Sequence, residues 1–397
     1  MKTILRTFVG CTAILFGTAC MGAVKYVPEN MKVELSLKVP GNNAVNYKLH
    51  PDKLENSYFD YEWRSDNKLP ITVFHKVEER DSCMRLTVQL TAAQDVYFNY
   101  RQLLSTGYRH DNCQFYMPGF WYRRNLRSPK KAPSFHTSDS WLVREDRLSA
   151  PLTGIFSEKE KRFMTVNRLD DFSMDALATH KEGEIILSGK TSLGFTGFEN
   201  QQGIAMLSFG FPYREAPKSY IRKLTLAPEV EAFQLMKKGE SVLLTWEIME
   251  SGADDFSDFI QHTWEHCYDT YAPKPVENSY SIADMKQVLS CFFVNSLVDN
   301  QPLVYNSGIH LKVSDCERNG QAEVGFIGRV LLNAFNAWEY GWQSNREELK
   351  VNSTKIFDSY LKNGFTQAGF FKESVNFDKG YEEPVHSIRR QSEGVYA

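Results

Sequence analysis

The chain has 397 residues, enough for two domains that each bury a core. Charged residues make up 24% and sum to a formal net charge of -3, which leaves nucleic acid and anionic membrane surfaces without a bulk-charge handle. Aromatic residues reach 13%, an excess that suits stacking against flat ligand faces such as sugar rings, although a large core consumes aromatics too.

Residues 1–23 read as a secretory signal. Lys2 and Arg6 form the basic start, 8–16 the short apolar run, and Gly17-Thr18-Ala19 a small-x-small cleavage site. That run is too short to cross a bilayer and no later stretch is apolar enough. The expectation is export to the periplasm or outer membrane of a Gram-negative bacterium, with no transmembrane span. Cys20 follows the cleavage site as in a lipoprotein signal, but Gly17 stands where such signals carry Leu. A lipid anchor at Cys20 and simple cleavage near Ala19 or Ala23 both stay open. Of 7 cysteines, five lie beyond the signal, widely spaced and without a CxxC pair, which argues for buried small residues rather than a disulfide framework or zinc cluster.

From residue 24 to 250 the pattern is short strands. Alternating apolar positions mark 31–39, 71–77, 84–91, 95–103, 162–167, 184–189, 204–211, 230–236 and 241–249. Many strands without a long helical period between them predict an antiparallel β-sandwich. One long insertion, 108–151, interrupts it with Trp121, Tyr122, Arg123 and Arg124 and then a Lys/Pro/Ser-rich run. Aromatics interleaved with arginine can stack on a sugar and clamp a carboxylate; equally, such a loop can be a lid packed by its own aromatics.

Residues 251–275 hold a connector helix, capped by Asp254 or Asp255 and stopped by Pro273 and Pro275. Phe256, Phe259, Ile260, Thr263, Trp264, Cys267 and Tyr271 share one face. His262, Glu265 and His266 match the HxxEH metallopeptidase pattern. They fall opposite the apolar face, so the match reads as incidental, and neither metal nor cofactor is expected.

After residue 276 the chain turns helical. Ser281 and Asp284 form a capping-box variant opening a helix with Met285, Val288, Leu289, Phe292 and Phe293 inward. A helix over 323–342 is expected to be central. Val324, Ile327, Leu331, Phe335, Trp338 and Trp342 give it a broad apolar face, Ala334, Ala337 and Gly341 a small-residue face. Arg329, Asn333, Asn336 and Tyr340 form a polar stripe that suits a cavity wall. A helix over 346–362 stops at Asn363-Gly364, and a last one begins near Pro384.

A sandwich with a long aromatic loop, a connector ending in Ala272-Pro273, and hairpins carrying Gly325-Phe326-Ile327-Gly328-Arg329, Ala368-Gly369-Phe370-Phe371 and Ser387-Ile388-Arg389-Arg390-Gln391-Ser392-Glu393-Gly394 resembles exported polysaccharide-degrading proteins of the six-hairpin glycosidase-like class. The resemblance implies an α+β multidomain chain, with the β-sandwich over 24–250 followed by the first part of an (α/α) toroid over 276–397. It implies a glycan substrate and two carboxyl groups, Glu323 and Glu393, flanking the scissile bond. Arg389 and Arg390 would meet a substrate carboxylate, and Trp121, Tyr122 and Arg124, with Arg329 and Asn333, would contact the sugar. Only about four helices of average length follow Pro275, against the six hairpins of the class, so the chain reads as C-terminally truncated. A polysaccharide lyase and a non-catalytic surface glycan-binding protein are the alternatives.

Overall fold

The structure is a computed structural model that describes residues 28–53, 60–80, 83–170, 182–295, 297–298, 303–305, 309–311, 316–318, 321–325, 330–376, 381–382, 384 and 386–397. The expected signal segment, with Cys20, lies outside the described residues, and so does Arg329. Two compact units divide the chain, Met1–Pro273 and Lys274–Ala397.

The first unit is built around two mainly antiparallel sheets with a shared core, with one parallel pair, Gly183–Ile186 beside Val230–Met236. In one sheet the 14-residue strand Val96–Arg109 pairs with Met31–Lys38 on one side and with Ile204–Phe211 on the other. Phe195–Gln201 and Trp141–Arg144 extend that side. The second sheet runs Asp60–Arg64, Ile71–Glu79, Cys83–Ala92, Ser241–Gly252, Arg162–Arg168, Leu152–Ser157, Cys113–Met117 and Trp121–Arg123. Strand Val45–Lys53 turns the corner, pairing with Met31–Lys38 through its first half and with Asp60–Arg64 through its second. Alternation decides what fills the middle: Val73, Val77, Leu86, Val88 and Leu90 of one sheet meet Val33, Leu35, Phe98 and Tyr100 of the other. Trp246 lies against Tyr100 and Phe209, at ring distances of 6.4 and 5.1 Å.

Helix α1, Phe256–Tyr271, belongs to this unit and forms a third layer. Asp255 caps it, accepting from the backbone N–H of Ser257 and Asp258 at 2.7 and 3.0 Å; Ala272, with φ 39, ends it before Pro273. Phe256, Phe259 and Cys267 join Tyr116, Phe156, Phe163 and Met249 in a second, smaller core. Gly154 is the contact point, since a Cβ there would lie 2.5 Å from Phe259. The two motif histidines part company. His262 reaches Asp258 at 3.5 Å near solvent, whereas His266 turns inward, its Nε2 2.6 Å from an oxygen of the buried Glu247. The expectation of two solvent-facing histidines is therefore corrected for His266: the helix is flanked by sheet on more than its apolar stripe.

The insertion 108–151 is also corrected. It contains the strands Cys113–Met117, Trp121–Arg123 and Trp141–Arg144, wired into both sheets. CQFYM shows no alternation because Phe115 and Met117 enter the main core while Tyr116 enters the core beneath α1.

Among the described residues of the second unit four helices accompany short two- and three-stranded sheets: α2 (Ile282–Asn295), α3 (Leu331–Gln343), α4 (Glu347–Asn363) and α5 (Ile388–Tyr396). Ser281 and Asp284 exchange the expected capping-box bonds at 2.9 and 3.1 Å. Yet the inward set expected for α2 is corrected, because Met285, Val288 and Leu289 are exposed and Ser290 is the buried residue. The helix expected over 323–342 begins only at Leu331. Glu323 ends the strand Gln321–Glu323, and a Cβ on Gly325 would lie 2.5 Å from the Arg390 carbonyl oxygen. On α3 it is the small face, Ala334, Ala337 and Gly341, that is buried, with Leu349 and Lys350 of α4 close to Gly341. Phe335, Trp338 and Trp342 of the expected apolar face are exposed, Trp342 beneath the Lys350 ammonium. Of the polar stripe, Asn336 and Tyr340 do line a cavity of about 290 Å³ with Lys286, Leu289, Phe293 and Gln343.

His75, enclosed in the first unit's core and bonded to the Tyr100 hydroxyl at 2.8 Å, is held neutral by burial, its pKa lowered to about 3. An unfolded chain takes up a proton there below about pH 6.5 and the folded chain does not, so stability falls as pH drops. Between pH 7 and 5 the native protein should lose about 2 kcal/mol more than a His75→Gln variant. Urea unfolding at both pH values measures it; equal losses would contradict a neutral buried imidazole.

Candidate functional site

The strand pair Cys113–Met117 and Trp121–Arg123 builds a cleft in the first unit. Register sets Trp121 opposite Met117 and Tyr122 opposite Tyr116. Trp121 therefore points into the core, 0% exposed, its ring 5.1 to 6.0 Å from those of Phe135, Trp141 and Phe198. Its indole N–H donates to the Arg123 carbonyl at 2.9 Å. No ring face is left for a sugar, which corrects the stacking role expected for Trp121. Tyr122, on the other face, is 51% exposed.

After Tyr122 the backbone turns through two left-handed residues, Arg123 (φ 57) and Asn125 (φ 48). Asn125 stabilises the turn, accepting from the Tyr122 N–H at 3.2 Å and donating to the Phe120 and Pro133 carbonyls. The Arg124 guanidinium donates to the carbonyls of Cys113, His110 and Asp111 and lies over Phe135. Arg124 thus closes the 3-10 turn His110–Asn112 and also lines the cleft. Arg123 lies over the Phe256 ring. Arg127 is exposed and has no hydrogen-bond or ion-pair partner among the described residues. Together Tyr122, Arg123, Arg127, Asp111, Gln114 and Glu158 line a cleft of about 790 Å³, within the usual range for small-ligand sites.

The second unit gathers carboxylates and arginines where α5 meets the strands Gln321–Glu323 and Ser374–Asn376. Ser387 caps α5, accepting from the Arg390 N–H at 3.3 Å. Arg390 lies between Glu323 and Glu373, at 3.5 and 3.6 Å, and Arg389 is 3.4 Å from Glu393 one turn on. Glu373, absent from the sequence-based set, is the hub: 1% exposed, it accepts from the Ser387 N–H and the Gln391 amide. Its only sequence signal was its place after the Ala368-Gly369-Phe370-Phe371 segment. The other oxygen of Glu393, Oε2, is buried with no partner among the described residues. Asn333, in the first turn of α3, is half-buried and lines neither cavity.

No family model matches the sequence, and no curated protein matches it. Solved structures that resemble it include a polysaccharide lyase (13% identity, TM-score 0.29, covering 59% of this chain and 27% of the lyase). A galactose mutarotase related enzyme from Lactobacillus acidophilus (11%, TM-score 0.30) matches over 55% of this chain and 79% of its own. An α-galactosidase from Geobacillus stearothermophilus (10%, TM-score 0.28) matches over 56% and 30%. These neighbours are carbohydrate-active enzymes; at such scores no residue and no role transfers from them. The chain spans less than a third of the lyase and of the α-galactosidase.

Glu373 is buried and Arg390 is its charged partner, so Arg390→Ala should destabilise the second unit by about 1–3 kcal/mol. Arg389→Ala, removing an exposed i,i+4 pair, should stay within about 0.5 kcal/mol. Denaturant unfolding followed by amide exchange of 388–396 compares them. Equal effects would mean that Glu373 does not hold α5 in place.

Proposed function

We propose that this chain is an exported carbohydrate-active protein whose first unit binds a sugar carrying a carboxylate. The observation that supports it most is the cleft of about 790 Å³, where the exposed Tyr122 ring stands beside the guanidinium groups of Arg123 and Arg127. An aromatic face suits the apolar side of a pyranose, and a planar fork of N–H donors suits a uronate. Asp111 and Glu158 add acceptors for sugar hydroxyls.

The finer reading is glycoside hydrolysis with Glu323 and Glu393 as the paired carboxyl groups and Arg390 as the cation beside them. Hydrolysis requires one carboxyl to donate a proton to the leaving oxygen and another to act as base or nucleophile. In its favour Glu393 keeps a buried oxygen without a partner. The hairpin of α3 and α4, joined by three residues, is in keeping with the first part of an (α/α) toroid. Binding without turnover is the second reading, favoured because both glutamates also stand in ion pairs, Glu393 within α5 and Glu323 across to it.

The test is calorimetric titration with uronic-acid and neutral oligosaccharides, alongside assay of released sugars. Tyr122→Ala and Arg127→Ala should each weaken binding of the acidic glycan at least tenfold with thermal unfolding unchanged. Glu323→Gln and Glu393→Gln should abolish release and preserve binding. Unaltered affinity in both cleft variants would overturn the reading, and binding by the native chain without release would select the non-catalytic one.

A further inference from the structure

Three elements of the first unit bring a thiol, a carboxylate and an imidazole to one point beneath α1. Cys83 opens the strand Cys83–Ala92 and pairs with Met249; Glu247 sits two residues earlier on Met249's strand, so by alternation Glu247, Met249 and Cys83 all face the helix. His266 descends from α1, its Nε2 2.6 Å from Glu247 Oε1, with the Thr270 hydroxyl 3.3 Å from the same oxygen. The Cys83 Sγ, a Glu247 oxygen and a His266 ring nitrogen lie within 4.8 Å of one another. Cys83 and Glu247 are buried, and His266 keeps 22% of its side chain open to solvent.

We propose that Cys83, Glu247 and His266 form a three-ligand site for a zinc-class divalent ion, with the fourth position left to water on the His266 side. The donor set is one sulfur, one nitrogen and one oxygen, which suits a borderline ion such as Zn²⁺ and poorly suits Mg²⁺ or Ca²⁺, whose ligands are oxygens. Charge favours it as well: a dication with one thiolate and one carboxylate is a neutral set, so a buried position carries no net charge. The step balances as an exchange. The thiol proton of Cys83 leaves to solvent, His266 gives up the hydrogen on its coordinating nitrogen, to solvent from an imidazolium or to the other ring nitrogen from the neutral ring, and three bonds to the ion replace the hydrogen bonds. Two bonds of about 2.0–2.1 Å at the tetrahedral angle separate N and O by about 3.3 Å. The 2.6 Å pair therefore opens by less than 1 Å, a movement within reach of a side-chain rotation. The ion would join the end of α1 to two adjacent strands of the second sheet. Of the HxxEH pattern only His266 enters this geometry: His262 turns to Asp258, and Glu265 accepts from Gln261.

Equilibrium dialysis of the full chain with Zn²⁺, followed by metal analysis, should find one ion per chain at micromolar zinc. Co²⁺ in its place should give a thiolate-to-cobalt absorption in the near ultraviolet. Cys83→Ser should remove that absorption and His266→Gln should weaken the metal at least tenfold. Gln can keep a hydrogen bond to Glu247, so it separates lost ligation from lost folding if the Ser variant does not fold. His262→Ala, and Cys291→Ser at the exposed cysteine, should leave the ion bound. No stoichiometric metal, cobalt absorption that survives Cys83→Ser, or undiminished affinity in His266→Gln would each overturn the site.

Discussion

The enclosure of Trp121 among Phe135, Trp141 and Phe198 governs what the first unit can present to a ligand. Burying a tryptophan side chain, roughly 150–250 Å², contributes on the order of 4–6 kcal/mol at about 25 cal/mol per Å², more than any single exposed contact nearby. Once that ring is inside, strand geometry sends Tyr122 outward, and the left-handed turn at Arg123 and Asn125 throws the chain back over the His110–Asn112 turn. Arg124 then closes the turn from within, leaving Arg123 and Arg127 on the cleft's rim. The same packing that stabilises the end of the sandwich therefore preorganises the cleft.

Buried charges inside the sandwich are paired, although not every polar atom is satisfied: Glu145 Oε1 and the indole N–H of Trp63 and Trp246 have no hydrogen-bond partner among the described residues. Glu145, fully enclosed, accepts from the Gly194 N–H at 2.7 Å and from Arg168 at 2.8 Å; burial pushes its carboxyl up to about 6 against the pull of that guanidinium. Arg168 reaches Asp170 as well, and the Tyr271 hydroxyl at the end of α1 donates to the Arg168 carbonyl. Such pairs are weak evidence for net stability, since the desolvation of both charges offsets their attraction. What they do is link elements: Glu145 joins the insertion to Arg168 at the end of strand Arg162–Arg168 and to the Gly194 backbone. Together with the Glu247 and His266 pair they tie α1 to the second sheet at points the apolar core beneath it does not reach.

The strands Ile204–Phe211 and Val230–Met236 were legible to the residue, because each is a mostly apolar run with a boundary set by glycine, proline or charge. The Asp255 cap, the Ala272 stop and the Ser281 capping box were legible too, since each depends on two or three residues close in sequence. Val45–Lys53 was not, because a polar strand turning a sheet corner has no apolar stripe. The 113–117 strand was hidden for the opposite reason, being buried on both faces. Of the candidate site residues Tyr122 and Arg124 line the cleft, whereas Trp121 lies in the core, because an aromatic in a loop-like stretch carries no local sign of its facing. On α3 the periodicity was correct and the choice of face was not: small residues admit close approach by α4, and that contact left the aromatics outside.

The second unit offers carboxylates and the first a cleft, and the reading of this chain as a glycan-acting protein depends on whether that cleft is where a sugar goes. Hydrogen–deuterium exchange of the full chain with and without a bound uronic-acid oligosaccharide locates the contact without altering a side chain. The account predicts slowed exchange at 111–114 and 121–128, the segments that line the cleft. Saturating ligand with no change in those segments would contradict it.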